Sequence, residues 1–179
     1  MPGLKGSFTE YGLKGLERVV KNLNAEIARI EGATLAGLIR AQIEIRRSME
    51  YEPPLIPVDM GNLRASYFTV TSKGGVVAGS SPKFKSGRGA SGRIVSAKTL
   101  EKLSSGHPQA LDRGKAEIAG ENPKVMMGFS AFYAVFVHEM VGPINWSRPG
   151  SGAKWFEKAI KRKKNEILKI IAESARIKK

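Results

Sequence analysis

Ile56-Pro57-Val58-Asp59-Met60-Gly61-Asn62-Leu63-Arg64-Ala65-Ser66-Tyr67 is the stretch that decides how this chain is built. Proline disfavours helix in the residue before it, so Pro53, Pro54 and Pro57 are expected to end a helix that reaches them. Asp59 can accept hydrogen bonds from nearby backbone amides in an Asx-type turn or cap. Gly61 can take a positive φ that other residues resist. From Leu63 to Thr71 the residues favour strand, with Tyr67, Phe68, Thr69, Val70 and Thr71 the strongest. The segment therefore reads as a rigid joint from helix to strand. Asp59 has no second carboxylate close by in sequence, so it is a poor candidate acid or base.

Upstream of the joint, residues 11–50 read as helix. Leu13, Leu16, Val20, Leu23, Ile27 and Ile30 alternate spacings of three and four, which makes an amphipathic stripe. The stripe resumes at Leu35, Leu38, Gln42, Ile45 and Met49. The step from Ile30 to Leu35 is five, so a kink or two helices are expected at Glu31-Gly32. A continuous helix would be roughly 60 Å long. That exceeds what one small domain covers, so part of it would face neighbouring subunits.

Downstream, Lys73-Gly74-Gly75 is a hairpin signal and residues 76–80 form the return strand. Residues 81–123 are rich in Gly, Ser, Lys and Arg, with apolar residues mainly at Leu100, Leu103 and Leu111. They read as a long basic loop or arm with a short helix near 97–104, incompletely ordered in the free protein. Val125 to Phe129 reads as a third strand. Phe132, Tyr133, Phe136, Val137 and Met140 share one face of a short helix. A final helix runs from about Gly152 to Arg176, burying Phe156, Ala159, Ile160, Ile167, Ile170 and Ile171. The expected fold is α+β in a single domain spanning 1–179. It has a small antiparallel sheet of three or four strands packed by a long N-terminal helix and a C-terminal helix. A helical hairpin with a separate β arm is the other architecture.

Composition narrows the function. The chain has 179 residues and no cysteine, which excludes disulfides, thiol catalysis and cysteine-bound zinc. No stretch approaches the roughly 18 apolar residues of a membrane span, and Met1 to Glu10 lack the apolar run of a signal peptide. Net charge is +14, and it is concentrated. Residues 81–124 carry nine basic and four acidic groups, and residues 153–179 carry ten and three. Such patches face nucleic acid or an acidic partner, or simply solvent.

The chemistry-bearing motifs are weak. Gly87-Arg88-Gly89-Ala90-Ser91-Gly92 matches the three-glycine dinucleotide pattern, but it lacks a buried strand before it. His138-Glu139 has no second histidine four residues on, and His107 stands in a polar segment. No metal site, cofactor site or catalytic constellation emerges, so no enzyme is expected. Lys83, Lys85, Arg88 and Arg93 are candidate partner or DNA-phosphate contacts. With Phe84 as the arm's only aromatic, any nucleic-acid contact would be phosphate-directed and sequence-independent.

Two segments carry a family resemblance. The first is Pro57, Val58, Asp59, Gly61, Leu63, Arg64 and Ser66. The second is Gly128, Phe129, Tyr133, Ala134 and Val137. Their order between a long helix and a basic helix resembles the neck or tail-completion proteins of long-tailed bacteriophages, often labelled minor capsid or tail-component proteins. The resemblance covers most of the chain except 81–123, which is longer than that family suggests. It implies a structural virion protein, assembled in the bacterial cytoplasm, that forms a ring around the DNA channel. The ring would complete the tail or join it to the head-side connector. A hexamer is the first expectation and a dodecamer the second. Implied partners are connector and tail-tube proteins, with genomic DNA passing through the lumen and no membrane. The alternative is a basic, sequence-independent nucleic-acid-binding protein.

Overall fold

The structure is a computed structural model that describes residues 8–120 and 122–176, with side chains from residue 18 onward. Helix α1 runs from Phe8 to Tyr51, and a one-turn helix α2 follows at Asn62–Ala65. Strands β1 (Tyr67–Thr71) and β2 (Val76–Ala78) form the predicted hairpin, closed by Thr71 N–H donating to Gly75 O at 2.9 Å. Short strands β3 (Gly87–Arg88) and β4 (Ile94–Val95) pair with each other. Then come α3 (Ala97–Ile118), β5 (Val125–Phe129), α4 (Ala134–Glu139) and α5 (Trp155–Ala175).

The main sheet is antiparallel, in the order β2-β1-β5. Its register sets Tyr67 opposite Phe129 and Phe68 opposite Gly128. All five residues of β1 are buried, because helices cover both faces. On one face Tyr67 and Thr69 meet Gln42 of α1, and Phe129 meets Trp155 and Phe156 of α5. On the other face Phe68 and Val70 pack with Leu111 and Ile118 of α3. Gly114 lets α3 come close: a Cβ there would sit 3.2 Å from both Val70 and Met126. The α+β expectation holds, with a three-stranded main sheet packed by the long N-terminal and C-terminal helices.

Four details differ from the sequence reading. First, α1 is unbroken through Glu31 and Gly32. One glycine costs only about 1 kcal/mol in a helix, too little to interrupt a cooperative run of this length. Second, Leu63 lies in α2, not in a strand, and is buried. Third, the segment 81–123 is an arm only as far as Ser96, and it continues as the 22-residue helix α3. The inward positions of α3 are Leu103, His107, Leu111, Gly114 and Ile118. Two of these five are not hydrophobic, and Pro108 stands inside the helix, so the apolar period is muted in the sequence. This segment forms part of the core, which corrects its reading as a poorly ordered loop. Fourth, Ile160 of α5 is 42% exposed, while Trp155 and Ala159 are each 1% exposed. The buried side of α5 is centred on Trp155 and Ala159, and Phe156, Ile167, Ile170 and Ile171 are half-buried. Leu13 and Leu16 lie outside the described side chains.

Helices α1 and α5 run side by side in opposite directions. Near the start of α5, Arg162 Nη1 donates to Ser48 Oγ (2.7 Å) and also lies 3.3 Å from Glu52. Near its end, Ser174 and Ile171 pass so close to Gly37 that a Cβ there would lie 2.7 Å from the Ser174 Cβ. The N-terminal part of α1 extends beyond the end of α5. Residues 18–25 are exposed on every side.

Candidate functional site

The two sequence segments meet. Residues of the turn, among them Pro57, Asp59, Gly61 and Leu63, form one wall of an open cleft of about 610 Å³. Tyr133, Phe136, Val137 and Met140 form the other wall, and Ile94 and Leu103 also line it.

Gly61 adopts φ +87°, as the turn requires, and precedes α2. A Cβ at Gly61 would meet nothing within 4 Å, so glycine is needed there for backbone shape and not for space. Asp59 does not act through a local turn alone. Its carboxylate accepts from the Ser91 backbone N–H at 2.7 Å and from Ser91 Oγ at 2.8 Å, 32 residues away. Gly89 allows this approach, since a Cβ there would lie 2.3 Å from the carboxylate.

Asn62 makes a second grip that the sequence reading did not single out. Its Nδ2 donates to Lys85 O at 2.8 Å, and its Oδ1 accepts from Lys85 N–H at 2.7 Å. Asn62 is only 3% exposed. The turn is thus a double clasp on the basic arm. An Asn one residue after a turn glycine was the available signal, since its amide can satisfy one backbone N–H and one C=O together.

The clasped arm presents Lys83, Lys85, Arg88 and Arg93 to solvent. Among the described residues, none of the four pairs with a carboxylate. Arg88 donates to Gly92 O at 3.2 Å, which stiffens the β3–β4 hairpin. The three-glycine pattern is the turn of this hairpin and not a nucleotide loop, with Gly92 N–H donating to Gly89 O. Phe84 packs inward against the core and meets His107 edge-on, with centroids 6.1 Å apart, so it is not offered for base stacking. His107 is buried and bridges Ser130 Oγ (Nδ1, 2.6 Å) to Gly79 O through Nε2.

Arg64 belongs to a different cluster. Glu50, 8% exposed at its side chain, receives Arg46 at 2.5 Å, Arg64 at 2.9 Å and Arg148 at 3.4 Å. Arg148 Nη2 also donates to Glu50 O at 2.7 Å. One nearly buried carboxylate therefore ties together α1, α2 and the loop before α5. Arg46 lies over the Tyr67 ring, 4.4 Å from its centroid, and burial lowers its pKa below the ordinary arginine value. Arg46, Arg64, Lys83 and Lys85 also surround a shallow recess beside the turn.

In the second segment, Gly128 makes room for Phe68, whose ring would be 3.3 Å from a Cβ there. Phe129 is the centre of an aromatic group with Tyr67 (5.6 Å) and Trp155 (6.1 Å). Ala134 is buried, and Val137 packs against the core. Tyr133 is half-buried; burial first, and the nearby Asp59 charge second, push its hydroxyl up to about 12.

The rim of the cleft is apolar and bare. Of its lining residues Phe136 is 72% exposed, Ile94 67% and Met140 41%, and Phe132, Val135 and Val141, near them in sequence, are exposed too. Among the described residues, no cluster of three His, Asp or Glu side chains is placed to share a cation. None of the described helices is long and apolar enough to cross a membrane. An exposed apolar rim of this kind is a feature of docking surfaces. Comparison of the chain with protein-family models, curated proteins and solved structures gave no match.

Proposed function

We propose that this chain is a structural virion protein of a long-tailed phage. It forms a ring in the neck that completes the tail or joins it to the head-side connector around the DNA channel. The carrying observation is that both family-like segments wall one cleft whose apolar rim is left exposed by the described residues. An exposed apolar patch of this kind marks a protein–protein surface. The role needs no catalysis. It consists of presenting two different faces to neighbours, with the basic arm fixed at one edge by Asp59 and Asn62. Connector and tail-tube proteins are the partners in this reading, and DNA is a passing, non-specific one. Assembly takes place in the bacterial cytoplasm. The test is a phage with this gene disrupted. Free heads and free tails in place of joined particles support the role, and normal joined, infectious particles refute it.

The second reading is sequence-independent nucleic-acid binding. It is favoured by the four exposed cations of the arm, two of which, Lys83 and Lys85, border one recess with Arg46 and Arg64. Tight, salt-sensitive DNA binding by a monomer would favour it over the ring.

A further inference from the structure

The chain carries a second apolar surface, far from the cleft. On the projecting part of α1, Val20 (47% exposed), Leu23 (57%) and Ile27 (46%) line up at spacings of three and four, with Val19 (62%) beside them. Side chains at this spacing lie one above another on a single helix face. The stripe lies beyond the end of α5, so that helix cannot cover it.

The chain cannot cover it by folding the stripe into its own cleft either. Arg46 and Gly61 border the same recess, so the cleft sits beside the C-terminal end of α1. From Leu23 to Arg46 the axis of a continuous helix covers roughly 35 Å. A helix without a break cannot bend back over that span. Among the described residues nothing covers either surface, and a stripe at one end of a rod cannot enter a cleft at the other end of the same rod.

We propose that the occupant of the cleft is the α1 stripe of a second copy of this chain, an inference that rests on the ring reading. A helix laid in an apolar groove through residues at i, i+3 and i+7 is a recurring recognition mode. Here the groove is walled by Tyr133, Phe136 and Met140 opposite the turn, and Ile94 stands at its lip. The two surfaces differ, so each copy gives its helix to one neighbour and its cleft to the other. Contacts of this head-to-tail kind close into rings when the rotation allows. The area is adequate. Each large aliphatic side chain removes on the order of 60–120 Å² from water when fully covered. The stripe and rim side chains together reach several hundred Å², and a polar border brings the contact into the range of a specific interface, about 1,200–2,000 Å² in total. Every copy carries a net charge of +14, so copies repel at long range and added salt should favour the contact. Salt acts in the opposite sense on DNA binding.

The absence of native cysteine gives a direct test. The double variant Leu23→Cys with Phe136→Cys is oxidised as the full chain and run without reductant, beside each single variant. A second pair, Ile27→Cys with Met140→Cys, covers a one-turn difference in register. The expected result is a ladder of covalent multimers from one of the double variants and only monomer from every single variant. Dimers from Leu23→Cys or Ile27→Cys alone would mean that stripes pair with each other, and would overturn the inference. So would dimers from Phe136→Cys or Met140→Cys alone. Native mass spectrometry of the same samples separates the remaining failures. An oligomeric mass with no ladder overturns the helix-in-cleft contact and leaves the ring reading standing. A monomeric mass with no ladder overturns both.

Discussion

Arg64 Nε donates to Glu50 Oε1 at 2.9 Å, so the turn after α1 is tied by charge to the last turn of that helix. Arg46 and Arg148 converge on the same carboxylate. Glu50 therefore fixes the angle at which α1 meets the cleft. Removing one member of a buried charged cluster leaves the others uncompensated, at a cost of about 3–5 kcal/mol. Glu50→Gln is expected to lower unfolding free energy by that amount in urea titrations. Arg64 is 49% exposed at its side chain, so Arg64→Ala should cost about 1 kcal/mol or less. Equal effects of the two substitutions would contradict this ranking.

Gly61 gives a second prediction. Its φ of +87° is strained for a side chain bearing a Cβ, yet there is open space around it. Gly61→Val should cost about 1–3 kcal/mol from backbone strain alone. Gly61→Asn should cost less, because Asn tolerates the left-handed region. Urea midpoints of the two variants check the order, and a more stable Val variant would refute the turn.

Tyr133 predicts an alkaline response. Its hydroxyl is pushed up from 10.0 to about 12 in the folded chain. The raised value means that the folded state holds the proton more tightly than the unfolded state. The associated stability is complete below pH 10 and is lost as pH rises from 10 towards 12. Tyr133→Phe should remove that part of the loss. Absorbance titration of the phenolates should show one fewer late tyrosine in the variant than in the parent, with Tyr67, whose hydroxyl burial also pushes up, remaining.

On the acid side, Glu139 is held below its ordinary value of 4.5, first by the Lys154 hydrogen bond and then by His138. Its depressed pKa favours the folded state above pH 4.5, and this contribution fades as pH falls through the lower folded value. Glu139→Gln should lower the neutral plateau slightly, because the site is exposed, and reduce the loss on acidification by the same small amount.

The basic arm supplies a prediction about assembly. Lys83, Lys85, Arg88 and Arg93 are exposed and hold no carboxylate partner, so replacing all four by Ser should change stability by no more than about 0.5 kcal/mol per site. In a phage carrying the fourfold change, fewer heads should be joined to tails, since rim charges steer and register partners. Altered DNA retention with normal joining would place the arm in the channel. Normal joining, infection and ejection would leave it as solvated surface.

Much of the fold was legible because local signals agreed with tertiary demand. Lys73-Gly74-Gly75 made its hairpin, Val125 to Phe129 made its strand, and the prolines after Tyr51 ended α1. Helix α3 was not legible. His107 and Gly114 occupy inward positions for a hydrogen-bonded bridge and for close packing, and neither adds to an apolar period. The site was legible in part. Pro57, Asp59, Gly61 and Leu63 do lie beside Tyr133 and Val137 in one cleft. Arg64 instead joins the Glu50 cluster, and Gly128, Phe129 and Ala134 serve the core. That Asp59 holds Ser91 and Asn62 holds Lys85 depends on pairings more than twenty residues apart, which no local pattern encodes. The ten basic residues of 153–179 likewise read as a patch facing a partner or solvent, but Arg162 and Lys163 bind Glu52 at the end of α1.

The central claim is that copies of this chain assemble into a closed ring. Native mass spectrometry of this purified 179-residue chain at micromolar concentration and near-physiological salt tests it most directly. The account predicts a single dominant species whose mass is a whole multiple of 19.4 kDa, a hexamer first and a dodecamer second, and which persists as salt is raised. A monomer at every concentration, joined only by salt-sensitive complexes with DNA, would contradict it.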